Sequence, residues 1–131
     1  MVSRRSSPPD FTCGLDAALR IIAGKWKPLL VYFLQAGPKR YGELRRAART
    51  VSDKVLIQHL KELELDKVVL RTDYKEIPPR VEYSLTPLGC SLAQALGPLC
   101  DWGSVNLDEI TRVLTEKEEV IMAYSETSVG S

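Results

Sequence analysis

Between Ser52 and Leu65 two stripes of opposite character run along one stretch of chain. Leu56, Leu60 and Leu63 recur at i, i+4 and i+7, and Lys54, Gln58 and Lys61 take the same spacing on the opposite side. At helical periodicity this segment packs one face on a core and presents hydrogen-bond donors from the other. Ser52 or Thr50 is placed to cap its start.

The rest of the chain arranges itself around that helix. Leu15, Ala18, Leu19 and Ile22 predict a short amphipathic helix over about 14–23, with Gly24 as its stop. Pro28 suits the first position of a second helix, apolar on all sides from Leu29 to Leu34 and closed by Gly37-Pro38. A third, near Tyr41 to Ala48, is expected to bury Tyr41, Leu44 and Ala48 and to turn Arg45, Arg46 and Arg49 outward. Val68 to Tyr74 and Arg80 to Leu85 are β-branched and aromatic runs; in the second, Val81, Tyr83 and Leu85 alternate with polar residues as in a half-buried strand. Glu76-Ile77-Pro78-Pro79 closes a hairpin between them. Thr86-Pro87 starts a further helix through Leu88, Leu92, Leu96 and Leu99, which Gly97-Pro98 is expected to bend or break. Leu107, Ile110, Leu114, Ile121 and Tyr124 continue a helical stripe over about 106–124, interrupted by Lys117, and this apolar face needs a partner.

The 131 residues suffice for one domain with a core. The reading is mainly α with a small β-hairpin wing, an α+β arrangement. Residues 1–11, rich in serine and proline, are expected to form a flexible arm, 12–124 the domain, and 125–131 a flexible tail. Three cysteines, at 13, 90 and 100, and the single histidine, His59, make no metal-ligand cluster. Cys90 and Cys100 are expected in the core and His59 on the solvated surface. No paired carboxylates, Ser/Cys–His arrangement or Gly-rich phosphate loop points to an enzyme, and no cofactor is expected. With no signal-like or membrane-length apolar run, the expected location is the cytoplasm, away from any membrane.

Charge is divided unevenly. Residues 25–85 carry thirteen Lys/Arg against eight Asp/Glu, whereas residues 86–131 carry two against seven. A basic middle favours a polyanion. Helix, short turn, helix and hairpin is the order of a winged helix-turn-helix, whose second helix enters the major groove of double-stranded DNA. On that reading Lys54 and Lys61 approach guanine acceptors, Gln58 pairs with adenine and Ile57 touches a thymine methyl. Arg45, Arg46, Arg49, Ser52, Lys75 and Arg80 contact phosphates. A winged-helix protein–protein module that never touches DNA is the alternative, and the basic stripe argues against it.

Four segments carry a resemblance: Gly24-Lys25-Trp26-Lys27, Arg40-Tyr41-Gly42-Glu43-Leu44-Arg45-Arg46, Ser52 through Glu64, and Pro78-Pro79-Arg80-Val81-Glu82-Tyr83-Ser84-Leu85-Thr86 with Leu88-Gly89. Together, over about 13–103, they resemble the HxlR family of transcriptional regulators, and the last is the most specific. The resemblance implies a MarR-like winged-helix homodimer, a repressor on a pseudo-palindromic operator, with dimerisation helices at about 14–23 and 87–124, the helix-turn-helix at 41–65 and the wing at 68–85. Leu15, Leu19, Leu92, Leu96, Leu99 and Trp102 would form its interface. Gly42, Ile57 and His59 depart from the family's usual polar residues, so no operator sequence carries over.

Cys13 stands where a number of family members keep a redox- or electrophile-sensing cysteine. A thiol at a helix N-terminus feels the positive end of the dipole, which favours the thiolate that oxidants attack. Two readings stay open: a sensor answering an oxidant or small-molecule effector, and a packing residue of the dimer interface.

Overall fold

The computed structural model describes residues 8–130, with side chains placed up to Thr127. The expected arm therefore lies mostly outside the described residues. The elements are α1 (Gly14–Ile21), α2 (Trp26–Leu34), β1 (Lys39–Arg40), α3 (Tyr41–Ala47), α4 (Asp53–Leu65), β2 (Val69–Asp73), β3 (Val81–Leu85), α5 (Pro87–Val105) and α6 (Leu107–Gly130). Two compact units divide the chain, one ending at Ala93 and the other beginning at Gln94.

In the first unit the strands form an antiparallel sheet in the order β1-β3-β2, with Arg71 opposite Tyr83 and Arg40 opposite Glu82. Leu30, Val31 and Leu34 of α2, Leu44 of α3, Leu56, Leu60 and Leu63 of α4, and Val68 and Val69 are fully or almost fully buried. Each leucine or valine so removed from water contributes about 1.5–3 kcal/mol. The leucine stripe of α4 is thus the centre of the core, and its opposite stripe is fixed outward.

Helix ends follow local chemistry. Ser52 Oγ accepts the Val55 N–H at 3.2 Å, and Glu43 reaches back to the Arg40 N–H at 2.9 Å. At the end of α4, Lys67 takes φ +63, while Val68 N–H donates to Leu63 O and Lys67 N–H to Glu64 O. These are the two hydrogen bonds of a Schellman motif, made with lysine where glycine is usual. The start of α5 is clamped to the end of α4: Thr86 Oγ1 donates to Lys67 O at 2.6 Å and accepts the Gly89 N–H at 3.0 Å. A Cβ on Gly89 would stand 2.1 Å from the Val68 carbonyl oxygen, so the close approach of helix and strand requires glycine there.

Several expectations are corrected. α2 begins at Trp26, two residues before Pro28, which stays within the first turn where an N–H is dispensable. A short strand, β1, joins the expected hairpin. Tyr41 is only half-buried, and every residue of β3 is half-buried, without alternation. Val81 and Tyr83 border an open cleft, while Tyr74 and Arg80 lie against Glu82 from the other side.

α5 runs unbroken through Gly97-Pro98. A proline restricts the residue before it through that residue's Cβ, which Gly97 lacks, so α5 forgoes one hydrogen bond and continues. α6 extends to Gly130, taking in most of the segment expected as a flexible tail from Ser125. Cys90 and Cys100, expected in the core, are exposed; in the first part of α5 the buried positions are Gly89 and Ala93. Leu96, expected at the dimer surface, is 9% exposed.

Candidate nucleic-acid interface

The outward face of α4 carries Lys54, Ile57, Gln58 and Lys61, all exposed. At 1.5 Å per residue its thirteen residues extend about 20 Å, long enough to lie along a major groove. Arg46 and Arg49 are exposed just before the turn, and Lys75 sits at the wing tip, where φ is +56 and its N–H donates to Asp73 Oδ1 at 2.9 Å. Among the described residues, Arg46, Arg49, Lys54 and Lys61 form no ion pair with an acidic side chain. These cations meet solvent rather than internal partners.

Arg45 does not turn outward. Its Nε lies 2.8 Å from Asp53 Oδ1, and its Nη1 donates to Ala48 O at 3.2 Å. The Tyr41 hydroxyl donates to the same Asp53 oxygen at 2.5 Å. Tyr41, Arg45 and Asp53 therefore lace the start of α4 to α3 across the turn. Desolvation first, then the hydrogen bond to Asp53, pushes the Tyr41 hydroxyl up to about 12, while that bond and Arg45 hold the Asp53 carboxyl below its ordinary value. Arg45 is a fastening of the turn.

Arg80 is likewise woven into the wing. Its guanidinium carbon lies 3.7 Å over the centre of the Tyr74 ring, its Nε 3.5 Å from Glu76 and its Nη1 4.0 Å from Glu82. Tyr74 in turn donates its hydroxyl to Glu82 at 3.1 Å and its N–H to Arg80 O at 2.9 Å. Arg80 and Glu82 of the Pro-Pro-Arg-Val-Glu-Tyr segment thus close on Tyr74 across the hairpin in a stacked cation–π cluster.

Gln58 is not free on its helix. Its Nε2 donates to Glu62 Oε2 at 2.9 Å, and Glu62 Oε1 takes the Lys27 ammonium at 2.6 Å. The Gln58 bond and then Lys27 hold the Glu62 carboxyl below its ordinary range. Lys27, from the Gly-Lys-Trp-Lys segment, thereby joins α2 to the outward face of α4. Gln58 keeps its carbonyl oxygen and one N–H for an external partner, the two groups a bidentate contact with adenine uses. His59 is not solvated as expected: it is half-buried, its Nδ1 4.0 Å from Glu62 with no hydrogen-bond partner.

Arg71 went unnoticed in the sequence. It is exposed on β2 and, with Lys61 and Glu64, borders a cleft of about 580 Å³ between α4 and the wing, floored by Tyr41, Ile57, Val81 and Tyr83. Strand parity alone would have flagged it, because Arg71 is the middle of alternate residues Val69, Arg71 and Asp73.

Elsewhere, Cys13 is the exposed N-cap residue of α1, and its carbonyl accepts the Ala17 N–H at 3.2 Å. Arg20 reaches Asp16, the Asp10 carbonyl and the Phe11 ring. Leu15, Leu19, Leu99 and Trp102 are exposed, each between 51% and 67%, and Leu92 is half-buried. No helix among the described residues is long and apolar enough to cross a membrane, and no group of His, Cys, Asp or Glu among them is arranged to hold a metal.

Comparison with known proteins agrees with this architecture. The HTH-type transcriptional regulator YkvN of Bacillus subtilis (strain 168) is 50% identical over 93 residues, 71% of this chain and 79% of the relative. The solved structure of the redox regulator HypR in its reduced form superposes with a TM-score of 0.72 at 37% identity, over 76% of this chain and 99% of that one. The oxidised form gives 0.68 at 39%, over 72% and 97%. With residues 21–111 matching the HxlR-like helix-turn-helix family, the chain belongs to that family, as a winged-helix transcriptional regulator of helix-turn-helix type.

Proposed function

We propose that this protein is a repressor that binds a specific, pseudo-palindromic stretch of double-stranded DNA as a homodimer and releases it when Cys13 is oxidised or alkylated. The observation that carries the DNA reading is the outward face of α4: exposed Lys54, Ile57, Gln58 and Lys61, held rigid from behind by Leu56, Leu60 and Leu63. Lys54, Gln58 and Lys61 read base edges and Ile57 meets a thymine methyl. Arg46, Arg49, Ser52 and Lys75 hold phosphates, while Arg45 and Arg80 keep turn and wing in shape for them.

Dimerisation uses the apolar side chains left exposed at both ends of the chain, Leu15, Leu19, Leu99 and Trp102, with Leu92 at the margin. Sensing is supported by the exposed thiol at the α1 N-cap and by likeness to a regulator whose described property is redox regulation.

Gel retardation with the protein's own upstream DNA tests the reading. Retardation at nanomolar dimer, weakened steeply by salt, is expected, because counterion release accompanies every phosphate contact. Lys54→Ala and Gln58→Ala are expected to weaken operator binding more than non-specific binding, and Arg46→Ala to weaken both alike. No retardation at low salt would end the DNA reading and leave the protein–protein module.

A further inference from the structure

The long α6 keeps an apolar face in the open. Leu107, Val113, Leu114, Val120, Ile121 and Tyr124 are each between 49% and 73% exposed, and Ile110 is half-buried. Positions 107, 110, 114, 117, 121 and 124 alternate steps of three and four, the a/d spacing of a two-stranded coiled coil, with Val113 and Val120 widening the stripe on one edge. Only Lys117 breaks it. The family match ends at residue 111, so most of this stripe belongs to the chain's own extension.

The stripe is also matched end to end. Counting outward from a point between Thr115 and Glu116, Leu114 answers Lys117, Ile110 answers Ile121, and Leu107 answers Tyr124. A helix so arranged meets its own copy in full register when the two run antiparallel about that point, and Val113 then comes beside Val120. We propose that α6 pairs in this way with α6 of a second copy, an antiparallel seam whose two-fold axis passes between Thr115 and Glu116.

Lys117 selects the orientation. In a parallel pair the two Lys117 ammonium groups would face each other in one layer, like charges desolvated together. In the antiparallel pair each lysine lays its alkyl stem on Leu114 of the second copy and lifts its charge to the edge where Glu118 lies. A groove of about 240 Å³ lined by Trp102, Asn106, Glu109, Ile110, Val113 and Leu114 borders the first half of the stripe, and this register brings Val120 and Ile121 of the second copy opposite it. An anionic membrane surface is a poor occupant, since Asp108, Glu109, Glu116, Glu118, Glu119 and Glu126 outnumber Arg112 and Lys117 on this helix. Two and a half heptads are few to hold alone, so the seam rests on the homodimer proposed above.

Cysteine cross-linking of the full-length chain, with Cys13→Ser, Cys90→Ser and Cys100→Ser as background, tests the register. The double variant Ile110→Cys/Ile121→Cys is expected to become a covalent dimer on mild oxidation, as is an equal mixture of the two single variants. Each single variant alone should stay largely monomeric on a denaturing gel. Within one helix the two sites are about 16 Å apart, out of disulfide reach. Single variants that cross-link as well as the double would show a parallel pair and overturn the proposal, as would a sedimenting dimer without cross-links. A sedimenting monomer would overturn the dimer reading along with it. Lys117→Leu is expected to lower the dimer dissociation constant at least tenfold, and no change would place Lys117 outside the seam.

Discussion

Replacing Gly89 with alanine tests how the wing is fixed to α5. The added methyl would stand 2.1 Å from the Val68 carbonyl oxygen, more than an ångström inside ordinary contact, and its other near neighbours are Leu85 Cδ2 and the Val68 carbonyl carbon, each at 3.1 Å. The Val68 oxygen already accepts the Thr86 N–H at 3.1 Å. Relief therefore requires moving backbone that bears a hydrogen bond. Overpacking of this kind costs about 1–3 kcal/mol, and a loosened hydrogen bond adds about 1 kcal/mol. Alanine's better helix propensity returns at most about 1 kcal/mol. A net destabilisation of about 1–3 kcal/mol remains. With an unfolding entropy of about 2.1 cal/mol/K per residue, that lowers Tm by roughly 4–11 °C. Urea unfolding followed by circular dichroism, with calorimetry for Tm, reads both numbers. The competing expectation has the opposite sign: if the approach of α5 to β2 is not fixed, propensity alone makes Gly89→Ala neutral or stabilising, and either result refutes the argument.

Four further outcomes are expected. Lys67→Gly relieves a left-handed lysine in the Schellman turn after α4 and should stabilise by about 0.5–1 kcal/mol, seen as a higher urea midpoint at unchanged slope. Because the folded-state value of Tyr41 is raised from 10 to about 12, the unfolded chain loses that proton first. The contribution of Tyr41 is whole below pH 10 and declines as pH rises towards 12, so Tyr41→Phe should flatten the loss of stability across that window relative to the parent. Glu62→Gln removes the charge shared by Gln58 and Lys27 and should reduce, several-fold, discrimination at the base pair facing Gln58; unchanged discrimination in competition retardation would show that Gln58 needs no such hold. Cys13→Ser should keep DNA retarded in diamide or a quinone that releases the parent, and equal release would move sensing away from Cys13.

Much of the fold was legible because it is written in period. The leucine stripe of α4, the Ser52 cap, the Thr86-Pro87 start and the two hairpin strands are local patterns, and each stands within a residue or two of where the spacing put it. The outward character of Lys54, Ile57, Gln58 and Lys61 follows from the same periodicity. What misled was periodicity applied to groups whose partners are set by turns and by packing between elements. Arg45 and Arg80 read as free of internal partners because sequence shows charge without showing Asp53 or Tyr74 beside it. His59 read as solvated because its helical spacing shows Glu62 one turn away but not that Glu62 is held by Lys27 from α2.

The sequence by itself thus determined the winged helix-turn-helix order, the face that turns outward and the amphipathic helices left over at both ends, since these depend only on side-chain spacing along one element. Tertiary structure decided which cations remain available. Arg46, Arg49, Lys54 and Lys61 form no ion pairs among the described residues, whereas Lys27, Arg45 and Arg80 are committed to carboxylates brought near by folding. Packing also decided that Gly89 admits no side chain, because that depends on the space the Val68 backbone leaves.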